Sequence, residues 1–569
     1  MRLNRTVYTS VRTLLTRAFA RFMSDTSATR RRRLLSLSVA CLPLLSGAVL
    51  ACPSGASAAT PTGAQALTGK LHLRRRALEN GRSTVRPRWA CPEGACDAIV
   101  VPRPLRKADR FVLPQSSRLL EGGGELGGFD PTDLRSAYDI PTSGGASQTI
   151  ALIDAFGYPA AESDLATYRE TYGLPACTKK NGCFEKVNEK GEAGNYPATE
   201  PGWDGEAALD EDMASAACPE CHILLVEGST EFPEDLGEAV NTATRLGATE
   251  ISNSYAYPEK LKEFCGTNGC AKFEKDYSHT GVLILAASGD SGFEDTYSEE
   301  GLQTNFPASS PGVVAVGGTA LYRDADTARG WREEVWNEPE LPAGTGGGCT
   351  KFDAKPSWQK DTGCEDRTDN DIAAVAAVET GVSVRIDHHW EVYGGTSVAS
   401  PLVAGIEAHA SSAIRTLGPA AFYENPSSLF DVTEGFNWDP LNKHSECAPH
   451  EYLCNGEVGY DGPTGLGTPD GVIALNEEVP APTVTKIKPK SGTAAGGTTV
   501  TITGTGFTGA TKVAFGANEA EFKVESATSI TAESPTGTAG STVDVTVTTP
   551  GGTSPTSSTD HFKYKKARK

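Results

Sequence analysis

The sequence predicts an α/β domain, a parallel sheet covered by helices on both faces, followed by a small immunoglobulin-like β-sandwich. From Asp130 to about residue 474, short apolar strand patterns alternate with helical ones, as strand-helix-strand crossover connections require. After Glu477 and Glu478 the chain runs through Pro480 and Pro482 into a region rich in Thr, Val and Gly, where apolar and polar residues alternate between turn glycines. A length of 569 residues leaves room for both.

In the first region, residues 149–153 form a buried-strand pattern ending at Asp154, and residues 205–217 read as a helix. Residues 223–226 are the next strand, 233–246 a helix with Pro233 in its first turn, and 250–254 and 282–287 two further strands. Catalytic groups in such a sheet belong at the carboxyl ends of strands. In the second region, residues 498–503, 512–515, 529–533 and 542–548 are the sandwich strands. The intervening Pro489, Gly492, Gly496, Gly497, Thr501, Gly504, Gly506 and Phe507 closely resemble the IPT/TIG module. That resemblance implies binding or spacing, with an unknown partner.

Composition narrows the class. An apolar fraction of 38% and a charged fraction of 22% are ordinary for a soluble globular protein. A formal net charge of -20 argues against nucleic acid or an anionic membrane as partner. At the N-terminus, arginines 30–33, the apolar run 34–50 and small residues ending at Ala58 have the order of a secretory signal, giving a leader over 1–58. Val49-Leu50-Ala51-Cys52 weakly resembles a lipobox, which keeps a cell-surface lipoprotein as the alternative location. The broken apolar run is too short for a stable membrane anchor. Residues 59–128, weakly periodic and basic in patches, read as a prosegment and linker.

Of 14 cysteines, Cys41 and Cys52 lie in the leader. The others fall into sequence-near pairs: 91 with 96, 177 with 183, 218 with 221, 265 with 270, 349 with 364 and 447 with 454. In an exported chain these read as small-loop disulfides. Cys218-Pro-Glu-Cys221 also has redox or zinc spacing, but no second ligand pair follows.

Three motifs carry chemistry. Gly394-Gly395-Thr396-Ser397 runs into an apolar helix containing Pro401, expected in its first turn, and presents Ser397 as an exposed nucleophile near a helix N-terminus. Glu206-Ala-Ala-Leu-Asp210 sets two carboxylates on one helix face with small residues between them. Crowded carboxylates cannot easily both ionise, so one keeps a proton while the other acts as base. Ser288-Gly289-Asp290-Ser291-Gly292 closes the strand 282–287, and a protonated Asp290 there can donate to an oxyanion. The plain alternatives are a helix-capping serine, a solvated acidic face continued by Glu211 and Asp212, and a turn aspartate. None of the nine histidines stands in a His-Gly-x-His context, and His222, His279, His388 and His389 read as surface or satisfied residues. A subtilisin-type site with Asp154 as its acid therefore lacks its base.

In this order and spacing the three motifs resemble the sedolisins, serine-carboxyl peptidases of subtilisin-like fold, over residues 130–474 within a domain taken as 129–478. The resemblance implies Glu206 as general base, Asp210 as its support, Ser397 as nucleophile and Asp290 at the oxyanion. Gly394 departs from a common Ser. It also implies one calcium ion bound by Asp431, Val432, Glu457, Gly459 and Asp461, two carboxylates and three backbone carbonyls of the hard-oxygen type calcium takes. Glu457 replaces a usual glycine there. About 70 residues separate the leader from Asp130, short of the long folded prodomain of the family.

The expectation is thus a secreted, calcium-binding endopeptidase for protein or peptide substrates, working at acidic pH as a monomer with an IPT/TIG domain at 482–565. The competing reading is an inactive peptidase-like binding protein that acts through its β-sandwich.

Overall fold

The computed structural model describes the backbone at 88–89 and 99–101, then residues 122–566 apart from 260–264, 266–269, 296–303, 339–342, 439–449, 474–480, 508–509, 527 and 550–551. The leader lies outside the described residues.

The peptidase-like region opens on α1 (Pro131–Tyr138), capped by Asp130, whose carboxylate accepts from Thr132 N and Asp133 N. Strands β1 (Thr149–Ala155), β2 (Phe184–Asn188), β3 (His222–Gly228), β4 (Glu250–Asn253), β5 (Leu283–Ala287) and β6 (Val314–Arg323) form its sheet together with β7 (Trp331–Val335) and β8 (Ile372–Val375). The order is β7-β6-β5-β4-β1-β3-β2, with β8 also beside β6. From β6 to β2 every neighbour is parallel, while β7 is antiparallel. The expected strands and helices all form; the helix at 233–246 and the strands at 250–254 and 282–287 are one residue shorter than expected, the strand at 512–515 has its expected bounds, and the others are one to four residues longer.

Helices cover both faces, as the buried-strand pattern requires. Ile150, Leu152, Leu225, Leu285 and Val316 face a core shared with α1, α2 (Ala161–Thr171), α3 (Pro201–Ala217) and α5 (Thr396–Glu407). Ile153, Val226, Ile251 and Ile284 face α4 (Pro233–Arg245). The hairpin β9 (Val382–Ile386) and β10 (His389–Gly394) leads directly into α5. Inside the stretch expected as prosegment, Ile99–Val101 adds to β10, with Val101 opposite Val392 and Ile99 opposite Gly394, and Arg88–Trp89 adds to that strand in turn.

Disulfides close Cys177–Cys183, Cys218–Cys221, Cys265–Cys270 and Cys349–Cys364. Cys218 and Cys221 are thereby bonded to each other and are not a zinc pair. Cys454 is also disulfide-bonded, whereas Cys91, Cys96 and Cys447 lie outside the described residues.

The C-terminal region is a two-sheet sandwich. One sheet orders β11 (Thr483–Lys488), β13 (Thr498–Thr505), β17 (Ser529–Ser534) and β16 (Phe522–Ser526). The other orders β12 (Ser491–Thr493), β19 (His561–Lys565), β18 (Thr542–Thr549), β14 (Lys512–Phe515) and β15 (Asn518–Ala520). Val500, Ile502, Val513, Phe515, Val545, Val547, Phe562 and Tyr564 fill its own core. Edge-to-face contacts of Phe562 with Phe515 and Tyr564, at 5.1 and 5.2 Å between ring centres, complete it.

Candidate active site

The site is assembled where α3 and α5 pack together at the carboxyl ends of the strands. The two helices approach closely because Gly405 has no side chain: a Cβ there would stand 2.6 Å from Ala217 Cβ and 3.1 Å from Ala214 O. Helix α5 starts at Gly395, whose φ of +114° is a conformation that favours glycine. Ser397 is then the second helical residue, with Oγ buried and without a hydrogen-bond partner.

Pro401 corrects the sequence-based expectation. It lies inside α5, past the first turn. There it cannot supply the helical N–H that would bond the Ser397 carbonyl four residues back, so that carbonyl is left out of the helical ladder.

On α3, Glu206 and Asp210 stand one turn apart, both fully buried. Glu211 and Asp212 are buried as well, which removes the reading of a solvated acidic face. Asp210 Oδ1 accepts from Ser254 Oγ at 2.7 Å, just beyond β4. Burial raises the Asp210 pKa well above the carboxylate range, and the charge of Asp154 raises it further. Asp212 is occupied structurally, accepting from Arg385 N at 2.7 Å.

Asp154 therefore belongs to this acidic group, whereas the sequence suggested it only for a histidine-dependent site. It is the penultimate residue of β1, is buried, and neither of its oxygens has a hydrogen-bond partner. Burial, and then Glu227, push it up to about 8. The periodicity that marked β1 as a buried strand carried this signal, since an aspartate closing an apolar strand has no solvent to ionise into.

Asp290 follows β5 and reaches across to α5. Its Oδ1 accepts from Thr396 N and Thr396 Oγ1, while its buried Oδ2 has no partner. Burial pushes Asp290 up to about 8, the Thr396 bonds pull it back, and Glu338 adds to the rise. Gly289 N also donates to Thr396 Oγ1, at 3.2 Å, which fixes the turn.

The histidines lie elsewhere. His388 Nδ1 is 3.1 Å from Asp164 Oδ1, His222 Nδ1 is 2.9 Å from Gly182 O, His279 Nε2 is 3.1 Å from Asp276 O, and His389 Nε2 is 3.1 Å from Glu391 Oε1.

The five residues expected at a cation are drawn from two loops that meet. Gly459 N donates to Asp431 Oδ2 at 3.0 Å, and Glu457 N to Asp461 Oδ2 at 2.9 Å. Asp461 and Val432 are buried, whereas Asp431, Glu457 and Gly459 are exposed. Burial pushes Asp461 up to about 8, despite hydrogen bonds from Glu457 and Thr464, and Asp431 contributes to the rise.

Comparison with known proteins supports the fold and the peptidase-like class. The subtilase family matches residues 205–424, and the IPT/TIG domain family residues 482–564. Kumamolisin from Bacillus sp. (strain MN-32) is 31% identical over 372 residues, 62% of this chain and 64% of kumamolisin. Sedolisin from Pseudomonas sp. (strain 101) is 29% identical over 378 residues, 61% of this chain and 60% of sedolisin. The chain thus spans less than two thirds of the length of either relative. Among solved structures, Pseudomonas sedolisin, a serine-carboxyl proteinase complexed with two molecules of pseudo-iodotyrostatin, superposes with a TM-score of 0.51 at 27% identity. That match covers 60% of this chain and 95% of that one. On a parallel α/β scaffold followed by an IPT/TIG-like sandwich, the chain is thus similar to the sedolisins over the region that carries Glu206, Asp210, Asp290 and Ser397.

Proposed function

We propose that this protein is a secreted serine-carboxyl endopeptidase that hydrolyses peptide bonds through an acyl-enzyme at acidic pH. The observation that carries the reading is the burial of the Glu206–Asp210 pair on α3, the helix that packs on α5, whose first turn holds Ser397. Glu206 takes the Ser397 proton as Oγ bonds to the substrate carbonyl carbon. The resulting oxyanion faces the protonated Oδ2 of Asp290, which donates a hydrogen bond to it. Glu206 then returns the proton to the leaving amine as the C–N bond breaks. Water attacks the acyl-enzyme with Glu206 again taking a proton, and Ser397 is regenerated with release of the acid. Asp210 and Asp154 hold their protons beside Glu206, so the single negative charge that the base needs resides on it.

Asp290 must stay protonated to donate, and its burial holds that proton up to about pH 8, so the donor is in place throughout the acidic range. Secretion accords with the disulfides, and among the described residues no helix is long and apolar enough to cross a membrane. The two-loop site fits a hard divalent cation. It pairs a buried carboxylate, Asp461, with a second, Asp431, and turns rich in carbonyls. Asp431, Asp461 and the carbonyls of Val432, Glu457 and Gly459 would hold one calcium ion, which would neutralise Asp461 and tie the loops. Digestion of a protein mixture across pH, with sequencing of the products, tests the whole reading. Cleavage at internal bonds that peaks in acid supports it, and absence of any products over the full pH range overturns it.

A further inference from the structure

A buried ion pair stands beside the catalytic carboxylates and takes no part in the chemistry assigned above. Lys186 on β2 places Nζ 2.8 Å from Glu227 Oε1 on β3, with side-chain exposures of 6% and 0%. The same Nζ donates to Tyr158 O at 2.8 Å, and Tyr158 N donates to the same Glu227 Oε1 at 2.7 Å. The Lys186 ammonium also lies 4.3 Å from the centre of the Tyr196 ring. The Glu227 carboxylate is therefore fixed in one place.

Its position matters. Glu227 is the register partner of Asp154 in the parallel β1–β3 pair, so both side chains leave the sheet on one face. That face is the one covered by α3, because the adjoining Ile153 and Val226 belong to the core on the opposite side. A buried ion pair seldom adds net stability, since desolvation offsets the attraction, so packing alone does not account for two charges here.

We propose that the Lys186–Glu227 pair is a positioning device for the Glu206–Asp210 base. Its fixed carboxylate keeps the proton on Asp154, so that Asp154 meets α3 as a neutral dipole and not as a second anion. This inference rests on the peptidase reading. Several groups face Asp154: Glu227 from β3, Lys186 through it from β2, Asp210 and Glu211 from α3, and Tyr255 from beyond β4. Of the carboxylates among them, Glu227 is held in an ion pair, with Lys186. The rise of Asp154 to about 8, caused by burial first and Glu227 second, accords with this arrangement.

The test is the double variant Lys186→Met/Glu227→Gln. Glutamine keeps an acceptor for Tyr158 N–H, methionine keeps the chain length, and removal of both charges leaves no buried charge alone. Without the Glu227 charge Asp154 ionises at lower pH, and its new charge holds the proton on Glu206 and Asp210 to higher pH. On the acid limb of kcat/KM Asp154, still raised by burial, is protonated in both proteins, so that limb should stay in place while the alkaline limb moves to lower pH in the double variant. In an Asp154→Asn background the same double change should produce no further shift. A folded double variant that is merely slower, with the parental pH profile, overturns the proposal.

An infrared titration of protonated carboxyls in a Ser397→Ala background supplies a readout without turnover. One carboxyl should lose its proton at lower pH in the double variant, and identical titrations overturn the proposal as well. Absence of peptidase activity in the parent would sink the functional reading, and the infrared comparison would still decide this one.

Discussion

Asp290 Oδ1 accepts hydrogen bonds from both the backbone N–H and the hydroxyl of Thr396, each at 2.8 Å, which ties the carboxyl after β5 to the residue directly before Ser397. The engaged Oδ1 leaves the proton to Oδ2, the oxygen without a partner. An ordinary aspartate titrates near 4, and the sequence alone places the loss of this donor between acid and neutral pH. Burial shifts that loss to about 8.

The Asp290→Asn variant should therefore track the wild type closely from about pH 4 to 6, because amide and neutral carboxyl both donate. The ratio of variant to wild-type kcat/KM should rise as pH passes toward 8. Asp290→Ala, which has no donor, should lose about 100- to 1000-fold throughout. Equal activity of the alanine variant would reduce Asp290 to a turn residue.

Replacing Ser397 by alanine should leave the fold intact and lower kcat by about a millionfold, the scale seen for a serine nucleophile acting as part of a unit. Circular dichroism checks the fold, and a sensitive fluorogenic peptide checks the rate. Turnover within tenfold of the parent would remove Ser397 from the mechanism.

Stability should fall as the solution becomes less acidic. Asp154, Asp290 and Glu407 are each pushed by burial up to about 8, against ordinary values near 4. A carboxyl whose folded pKa is raised contributes stability fully present below its unfolded pKa, and that contribution is lost as pH rises through about 8. The melting temperature should thus be highest near pH 4 and decline steadily to pH 8. Glu407→Gln, which stays neutral while keeping an acceptor for Ile473 N, should flatten part of the decline. A melting temperature that climbs over that range contradicts the sign.

Chelation probes the Asp431 and Asp461 loops. At a free calcium concentration a hundredfold above Kd, bound ion adds about 2.7 kcal/mol by mass action, so a chelator should lower the melting temperature by several degrees. In Asp461→Asn the chelator should have little further effect. Identical melting curves for the wild type with and without chelator, after exhaustive dialysis, would argue that the loops hold no ion.

Ending the chain after Ala481 should leave hydrolysis of small peptides within about twofold of the full chain, because the sandwich packs Val500, Ile502, Phe515 and Phe562 into a core of its own. A folded but inactive truncation would mean that the β-domain completes the peptidase.

Much of this was written locally in the chain. An i,i+4 spacing puts Glu206 and Asp210 on one helix face wherever that helix packs, and a strand of period two declares its buried side, as residues 498–505 do. Glycine before Thr396 likewise announces a backbone that side chains avoid. The environment of these residues was not local. Whether Glu211 and Asp212 meet water, whether Asp154 neighbours Glu227, and how far Asp290 rises toward 8 all depend on elements distant in sequence. Register between parallel strands sets the first of these neighbours, and helix packing sets the desolvation. A spacing rule sees neither, because the energy of a charge is fixed by what surrounds it in space and not by what precedes it in the chain.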